Sequence, residues 1–463
     1  MSDRRKVLIV GWDSAPPREV FGAWRPHLPH LSSLMNRGVW GRLRSTDPPI
    51  TIPAWTSMLS SRNPGQLGFY GFRNRTAGSY TDRWLASSQS VKVPRVWDVL
   101  SDEGKRSCVL NVPQTYPVSA VNGAMISSFL TPGNDSNYTY PTALKAEIER
   151  AAGGYVIDCR DYRTEDKPRL LEEIRTMTEK RHKVAQTLMI DHGPWDLFIT
   201  VMMGPDRMAH GFWKYTDPGH PKYKQGSQFE TCIRDYYALL DRQLGELCDL
   251  AGPDTTVLVV SDHGTKRMDG TFNVNDWLIR EGLLTLRETP GEASAFTEED
   301  VDWSRTVAWA WGGYYARVFI NLAGREAQGI VAPSDYESVR DDLINRLLGI
   351  PREDGEPMNT RALKPQEIYS GAQVDQAPDL LVYFDDLYWR AGQNVGNASL
   401  YSPDTEIGPD DSVHDYDGIF VMARPSDRRG RRSGGMRCID VAPTILHELG
   451  VAIPPEMEGS IIF

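Results

Sequence analysis

Acidic residues that follow long apolar runs are the feature that most constrains how this chain can fold. Continuous apolar runs are typical of strands in parallel sheets, because both faces of such strands are buried. Ligands bind beyond the carboxyl ends of these strands, so polar side chains placed there are predicted to meet in one crevice. The residues concerned are Asp13 after 7–12, Asp206 and His210 after 197–203, Asp262 and His263 after 257–261, and His414 before 419–422.

The chemistry of these side chains points to bound metal ions. Carboxylate oxygens and imidazole nitrogens together suit zinc or manganese. Asp206 and His210 are spaced i, i+4, so on a helical turn they share one face and can hold one ion. Taken alone, this pair could equally be an exposed helix pair, and Asp13 alone could be a loop or capping residue.

Asp262 and His263 are adjacent in the sequence. On a straight strand their side chains would point to opposite faces. They can share a site only if the chain turns just past Ser261, and Gly264 permits such a turn. A turn without metal binding is the alternative interpretation of this pair.

Thr51 is the candidate nucleophile. It lies between Pro49 and Pro53, and these prolines favour an extended segment, so we expect the next helix to begin at Ala54. Backbone N–H groups at a helix start form an anion site beside the hydroxyl. A threonine hydroxyl is a poor nucleophile at neutral pH, but a bound metal ion can lower its pKa. The alternative is a turn hydroxyl beside prolines.

The order of apolar and amphipathic segments predicts an α/β fold, with a mostly parallel central sheet and helices on both faces. Residues 270–410 interrupt this order with Gly/Pro clusters and short strands, for example at 315–321 and 380–384. Because this stretch lies between His263 and His414, we expect an inserted α+β cap that determines substrate specificity. The catalytic core is then 1–269 with 411–463, and loops near 65–90 and 112–165 add to the cap. Within the core we expect strands at 6–13, 41–45 and 107–111, and helices at 28–37, 54–60, 93–102, 168–192 and 227–250.

Composition excludes some classes of function. The net charge of -11 argues against a nucleic-acid scaffold with a basic face. Phosphate can still bind if metal ions reverse the local field. The five cysteines are scattered without CxxC spacing, which is typical of reduced residues in a cytoplasmic protein. The first apolar run is too short for a signal peptide or a membrane span, so we expect no membrane association.

Five motifs in one order along the chain resemble a known family. They are Asp13, Pro48-Pro-Ile-Thr-Ile-Pro-Ala-Trp-Thr-Ser57, Asp206-Arg-Met-Ala-His210, Ser261-Asp-His-Gly264 and His414. The order resembles the alkaline phosphatase superfamily, in its type I phosphodiesterase/nucleotide pyrophosphatase branch. It is most similar to the soluble prokaryotic phosphohydrolases and phosphomutases of that branch. The resemblance extends to the segments at 440–450 and 457–459.

The resemblance implies two divalent metal ions, with zinc expected first and manganese as the alternative. It implies that one ion is held by Asp206, His210 and His414. It implies that the other is held by Asp13, Asp262 and His263, with Thr51 bound to it as the nucleophile that forms a covalent phosphothreonine. The implied substrate is a small-molecule phosphate ester or a nucleotide-like molecule.

Two departures from the family pattern bear on the substrate. The family's nucleophile segment carries an asparagine that holds a phosphoryl oxygen, and Ala54 stands in its place. Asn63, Arg73 and Lys266 are the candidate replacements. The arginine typical of the monoesterases has no match here, which favours a diester or a pyrophosphate.

Other functions remain open on the sequence alone. The same site could serve a phosphomonoesterase, a phosphomutase or a sulfatase. The segment 51–55 lacks the Cys/Ser-x-Pro-x-Arg pattern of sulfatases. A non-catalytic nucleotide-binding protein is the alternative from a different class, and the complete donor set with an intact hydroxyl argues against it.

Overall fold

A mostly parallel, ten-stranded sheet lies at the centre of the computed structural model, which describes residues 5–288 and 290–463. The described strands are β1 Lys6–Trp12, β2 Val39–Arg44, β3 Arg73–Arg75, β4 Arg83–Leu85, β5 Ser107–Leu110, β6 Gly123–Ile126, β7 Thr139–Tyr140, β8 Leu197–Met202, β9 Thr255–Val260, β10 Gly264–Arg267, β11 Gly270–Phe272, β12 Ser294–Ala295, β13 Ala308–Trp311, β14 Ala316–Ile320, β15 Arg361–Leu363, β16 Leu380–Tyr383, β17 Trp389–Ala391, β18 Asn394–Val395, β19 Tyr401–Ser402, β20 Ser412–Asp415, β21 Asp417–Ala423, β22 Arg431–Arg432 and β23 Met436–Arg437. The central sheet has the order β22-β2-β21-β9-β1-β8-β5-β6-β7, and β23 also pairs with β2.

Strand β1 occupies the middle of the sheet and is parallel to both of its neighbours, β8 and β9. Trp12 is in register with Met202, and Gly11 with Val260. The carboxyl ends of these three strands are therefore side by side. The chain segments that follow them carry Asp13, Asp206 and Asp262.

The central strands are apolar along their length because both faces are covered. Leu8 and Val10 pack into one hydrophobic cluster, whereas Val7 and Ile9 pack into another on the opposite face. This alternation is the period-two geometry of a strand buried on both sides. It confirms the predicted α/β class with a mostly parallel sheet.

Helices cover the two faces unequally. The described α-helices are α1 Pro29–Arg37, α2 Thr51–Ser60, α3 Pro64–Leu67, α4 Val96–Asp102, α5 Leu144–Ala152, α6 Lys167–Asp191, α7 Gly204–Thr216, α8 Cys232–Ala251, α9 Val274–Arg280, α10 Tyr336–Leu348, α11 Pro365–Ile368 and α12 Val441–Glu448. The first cluster takes side chains from α1, α5, α6, α7 and α8, and the second takes them from α2, α4 and α12. None of the helices in the described ranges combines the length and apolarity needed to cross a bilayer.

Three predicted helix starts were wrong, and one of them is that of α4, which begins at Val96 instead of residue 93. Helix α2 begins at Thr51 instead of Ala54, with Ile50 as its N-cap. Pro53 is tolerated as the third helical residue because the first N–H groups of a helix have no intrahelical partner. Helix α8 begins at Cys232, five residues after the predicted start at 227, because residues 227–231 form separate hydrogen-bonded turns.

The segment 270–410 builds a hydrophobic cluster of its own around Trp309, Phe319 and Leu343. Its four-stranded antiparallel sheet has the order β13-β14-β16-β15, and α9 and α10 contribute to the same cluster. Strands β10 and β20 pair at the two ends of the segment and place Thr265 opposite His414. The division into a core and a cap at these boundaries stays a prediction.

The loop-rich stretch at 65–90 packs against this segment. Tyr80 stacks on Trp303 with ring centroids 3.7 Å apart. Arg75 forms an ion pair with Glu326 at 2.9 Å. These contacts pack the hairpin of β3 and β4 against the segment 270–410, and Arg73 and Arg83 of this hairpin line the cavity described below.

Candidate active site

The three acidic motifs meet beyond adjacent strand ends. Asp13 directly follows β1, and Asp262 follows β9 after one residue. Asp206 lies in the first turn of α7, and His210 lies one turn later on the same face. His414 is delivered from β20. All of these side chains are buried.

The structure brings the six predicted metal donors into two groups. Asp206, His210 and His414 form one group, and Asp13, Asp262 and His263 form the other. Within each group the potential ligand atoms all lie within 4.8 Å of one another. The rings of His263 and His414 stack with centroids 3.8 Å apart, so the two groups are neighbours.

Each of the three carboxylates has one oxygen that accepts a hydrogen bond and one that lies 3.1–3.9 Å from a histidine Nε2. The Trp55 indole N–H donates to Asp13 Oδ2 at 2.7 Å, and Arg207 Nη1 donates to Asp206 Oδ2 at 2.6 Å. The Ser14 N–H donates to Asp262 Oδ1 at 3.2 Å.

The opposite oxygens of these carboxylates, Asp13 Oδ1, Asp206 Oδ1 and Asp262 Oδ2, are buried and have no hydrogen-bond partner among the described residues. Burying a carboxylate oxygen without a partner costs several kcal/mol. Burial, with the charge of a second carboxylate, raises the pKa of both Asp13 and Asp262. This donor set fits two divalent cations, which would compensate that charge.

Each of the three histidines has Nδ1 near an oxygen atom outside its group of donors, and its Nε2 lies near a carboxylate of that group. His210 Nδ1 lies 2.7 Å from Asp410 Oδ1, His414 Nδ1 lies 2.9 Å from the Pro49 carbonyl, and His263 Nδ1 lies 3.0 Å from the Gly264 carbonyl. In His263 and His414, whose pKa values are lowered by burial, an oxygen acceptor at Nδ1 fixes the tautomer in which Nε2 carries the lone pair. The charges of Asp410 and Asp206 instead raise the pKa of His210. Burial lowers the pKa of His263 to about 4, so this ring is neutral at pH 7.

Thr51 lies beside these groups. Its Oγ1 is 3.4 Å from His263 Nε2. It is the first residue of α2, where free N–H groups and the helix dipole favour an anion. The nearest rival hydroxyls are placed differently: Thr56 donates to the Gln114 side chain, and the buried Ser57 does not line the cavity that Thr51 lines.

A cavity of about 370 Å³ opens above Thr51. Asp206, His210 and His414 also line it. The rest of its lining is rich in aromatic and arginine side chains: Phe72, Phe129, Tyr162, Trp311, Tyr314, Tyr315, Arg73, Arg83, Arg163, Arg317 and Arg390. Its volume is that of a small-molecule site.

Of the three candidate replacements for the missing asparagine, only Arg73 lines the cavity. The Asn63 side chain donates to Glu458, and Lys266 forms an ion pair with Asp415 at 3.1 Å. Ala54 itself is fully buried in α2. Asn63 and Lys266 therefore do not face the reacting groups.

Sequence reasoning missed the residues that orient the donors. Asp410 contacts His210 from 200 positions away in the chain, and its carboxylate also accepts a hydrogen bond from the Tyr314 hydroxyl at 3.2 Å. The Tyr314 ring stacks on His414 with centroids 4.3 Å apart. No local spacing links these positions. Trp55 and Arg207 could have been predicted from the sequence, since each is close in sequence to a predicted site residue.

The two buried groups of donors lie next to Thr51, beyond the carboxyl ends of the central strands. Residues 7–412 match the family of type I phosphodiesterases and nucleotide pyrophosphatases. The chain belongs to this family, and it is a hydrolytic enzyme. No protein of curated function matches the sequence.

Solved structures with the same fold cover nearly the whole chain. An inactive threonine-to-alanine variant of murine ectonucleotide pyrophosphatase/phosphodiesterase 5, in complex with AMP, matches with a TM-score of 0.59 and 15% identity, over 98% of this chain and 97% of that chain. The human protein of the same name matches with a TM-score of 0.57 and 13% identity, over 98% and 97%. Phosphonoacetate hydrolase from Sinorhizobium meliloti 1021, in complex with phosphonoformate, matches with a TM-score of 0.61 and 15% identity, over 97% and 96%.

Proposed function

We propose that the protein is a two-metal phosphohydrolase that cleaves a phosphodiester or pyrophosphate bond through a covalent phosphothreonine at Thr51. The observation that carries this proposal is the pair of buried donor groups next to Thr51, with one unpartnered oxygen on each carboxylate. The family supports the class of reaction. The small phosphorus-containing anions bound by two similar structures, AMP and phosphonoformate, support a small-molecule phosphate ester or nucleotide-like substrate.

In this proposal one ion is held by Asp206, His210 and His414, and the other by Asp13, Asp262 and His263 beside Thr51. When bound, two divalent ions supply Lewis acidity, which offsets charge on phosphoryl oxygens and lowers the pKa of a neighbouring hydroxyl. Zinc is the first expectation and manganese the alternative, because both accept mixed oxygen and nitrogen donors.

Side chains and a helix terminus of the protein carry out the remaining steps. Thr51 Oγ1 gives up its proton and forms a bond to phosphorus while the bond to the leaving-group oxygen breaks, and the departing oxygen takes up a proton from water. The N-terminus of α2 favours the negative charge of the phosphoryl group at this position. Asp410 keeps the His210 ring oriented, and Trp55 does the same for Asp13. Water then cleaves the phosphothreonine and restores the hydroxyl.

The test compares two chromogenic substrates, bis(para-nitrophenyl) phosphate and para-nitrophenyl phosphate. We expect the diester to have the higher kcat/KM, because the cavity is lined on several sides and can accept a second substituent. A higher value for the monoester would favour a phosphomonoesterase or phosphomutase that uses the same donors. Absence of turnover of both, with nucleotide binding retained, would favour the non-catalytic alternative.

We also propose a cytoplasmic location. All five cysteines are free, and Cys108, Cys159, Cys232 and Cys438 are buried. Free, buried thiols are the usual state in a reducing compartment. Fractionation of the cells that produce the protein, followed by immunodetection, would test this. Recovery outside the cytoplasmic fraction would contradict it.

A further inference from the structure

We propose that the substrate carries a second anionic group, a carboxylate or a phosphate, and that Arg73, Arg83 and Arg317 bind this group. The proposal rests on the proposed function, because it names the class of phosphate ester that the same site accepts. The three arginines belong to the wall of the cavity that Thr51 lines. They come from β3, β4 and β14.

Arg317 has no acidic partner in the described part of the chain. Its Nη1 donates to the Arg73 carbonyl, and its Nε is buried without a hydrogen-bond partner. Burial lowers the pKa of Arg317, and the nearby charges of Arg83 and Arg73 lower it further. Guanidinium groups nevertheless stay protonated in proteins. Arg317 is half-buried, and a bound anion would compensate its partly desolvated positive charge.

The charge around Arg317 is unbalanced. Arg83 forms an ion pair with Glu298, which also accepts a hydrogen bond from the Trp311 indole at 2.8 Å. Arg73 forms no ion pair within the ranges that the structure describes. Of these three arginines, only Arg83 has an ion-pair partner among the described residues, in a protein whose net charge is -11. The fold therefore gathers positive charge at this wall although the protein as a whole is negatively charged.

Aromatic rings hold two of these guanidinium groups. Arg83 lies 4.4 Å and Arg317 5.2 Å from the ring centroid of Trp311. Stacking on a ring fixes the plane of a guanidinium and leaves its N–H edge available to an oxyanion. Carboxylates and phosphates match this fork of donors and bind it with two parallel hydrogen bonds.

The other two arginines of the cavity are already neutralised. Arg163 forms an ion pair with Asp410 at 3.1 Å, and Arg390 forms one with Glu406 at 3.0 Å. Both have an acidic partner, whereas Arg73 and Arg317 form no ion pair within the described residues. One part of the cavity wall therefore has paired charges, and the part with Arg73 and Arg317 carries positive charge without an acidic partner in the described ranges. Because both belong to one cavity of about 370 Å³, a single small molecule can reach the arginines and Thr51 together.

The test uses three para-nitrophenyl diesters that share one leaving group and differ in the second arm. The arms are butyl, carboxypropyl and phosphonopropyl. We expect one anionic arm to raise kcat/KM over the butyl ester by roughly tenfold or more, because each charge-assisted contact contributes a factor of that order. The arm with the larger gain identifies whether the site is built for a carboxylate or for a phosphate.

In Arg317→Gln the ratio of anionic to butyl ester should fall towards one, whatever happens to the absolute rates. Arg75→Gln is the matched control. Arg75 lies on the same hairpin, is paired with Glu326 and does not line the cavity. The control should keep the parent's ratio. Ratios near one for both anionic arms in the parent, or a ratio that Arg317→Gln leaves unchanged, would overturn the proposal.

Binding separates a failure of this inference from a failure of the proposed function. Calorimetry on the protein as purified compares phosphonopropionate with propylphosphonate, which lacks the carboxylate. We expect tighter binding of phosphonopropionate to the parent, and loss of that advantage in Arg317→Gln. If no ester is hydrolysed but this difference is seen, the hydrolase proposal fails and the anion site stands. If esters are hydrolysed but neither comparison depends on Arg317, the anion site fails.

Discussion

Replacing Asp410 with asparagine should weaken one of the two proposed metal sites and leave the other intact. The Asp410 carboxylate is buried, and its Oδ1 lies 2.7 Å from His210 Nδ1. Its Oδ2 accepts hydrogen bonds from Arg163 Nε at 3.1 Å and from the Tyr314 hydroxyl at 3.2 Å. The side chain therefore serves donors on both of its oxygens.

Asparagine has nearly the same shape but no charge, and it has one acceptor oxygen in place of two. In either orientation its NH₂ group faces a donor, either the His210 Nδ1–H or the pair from Arg163 and Tyr314. Loss of an outer partner of this kind lowers metal affinity about 10–100-fold, or about 1.4–2.7 kcal/mol. The site of Asp206, His210 and His414 should show this loss.

The assay is competition for zinc between the protein and a chromophoric chelator, which resolves two binding steps. Asp411→Asn is the matched control, because Asp411 is the neighbouring buried carboxylate and its side chain faces Lys214 at 3.5 Å instead of His210. The control should bind both ions as the parent does. Two unchanged binding steps in Asp410→Asn, or an equal loss in the two variants, would refute the reasoning.

Three further predictions follow from the same structure. Thr51→Ala should keep the fold and most of the metal but lose roughly 10³-fold or more in kcat. Thr51→Ser should keep measurable activity, and Thr56→Ala should stay active. If Thr56→Ala were inactive while Thr51→Ala remained active, Thr56 would be the nucleophile instead. Burial lowers the pKa of His220 to about 4. The contribution of the neutral His220 ring to the free energy of unfolding is therefore complete above about pH 6.5, and it falls by about 2 kcal/mol by about pH 5. Urea unfolding of His220→Asn should show a smaller decrease in the free energy of unfolding over that pH range than the parent shows. An equal decrease in both proteins would argue against this role of His220. Dithiothreitol should leave Tm unchanged, because all five cysteines are free, and a clear drop would reveal a disulfide.

The sheet and the positions of the donors could be predicted because each depends on local sequence. An apolar run followed by Asp13 or Asp262 contains both the strand and the residue at its end. Parallel neighbours then bring those ends together without further information. The spacing of Asp206 and His210 likewise needs only one turn of helix, and α7 provides that turn.

What escaped prediction depends on contacts between distant segments or on competing local rules. The prolines around Thr51 argued for a later helix start, yet Pro53 fits within the first turn of α2. Asp410 lies beside His210 because the pairing of β10 with β20 brings the two ends of the segment 270–410 together. The wall that carries Arg317 is assembled from three strands, none of which has a distinctive sequence pattern.

The claim that two metal ions act at this site is tested most directly by counting them. The purified protein is freed of loosely bound metal by dialysis, and its divalent ions are quantified against protein concentration. Activity on bis(para-nitrophenyl) phosphate is followed while a chelator removes the ions and added zinc or manganese restores them. We expect close to two ions per chain, a lower content in His414→Ala, and activity that disappears and returns with the metal. Full activity in metal-free protein would contradict the proposal.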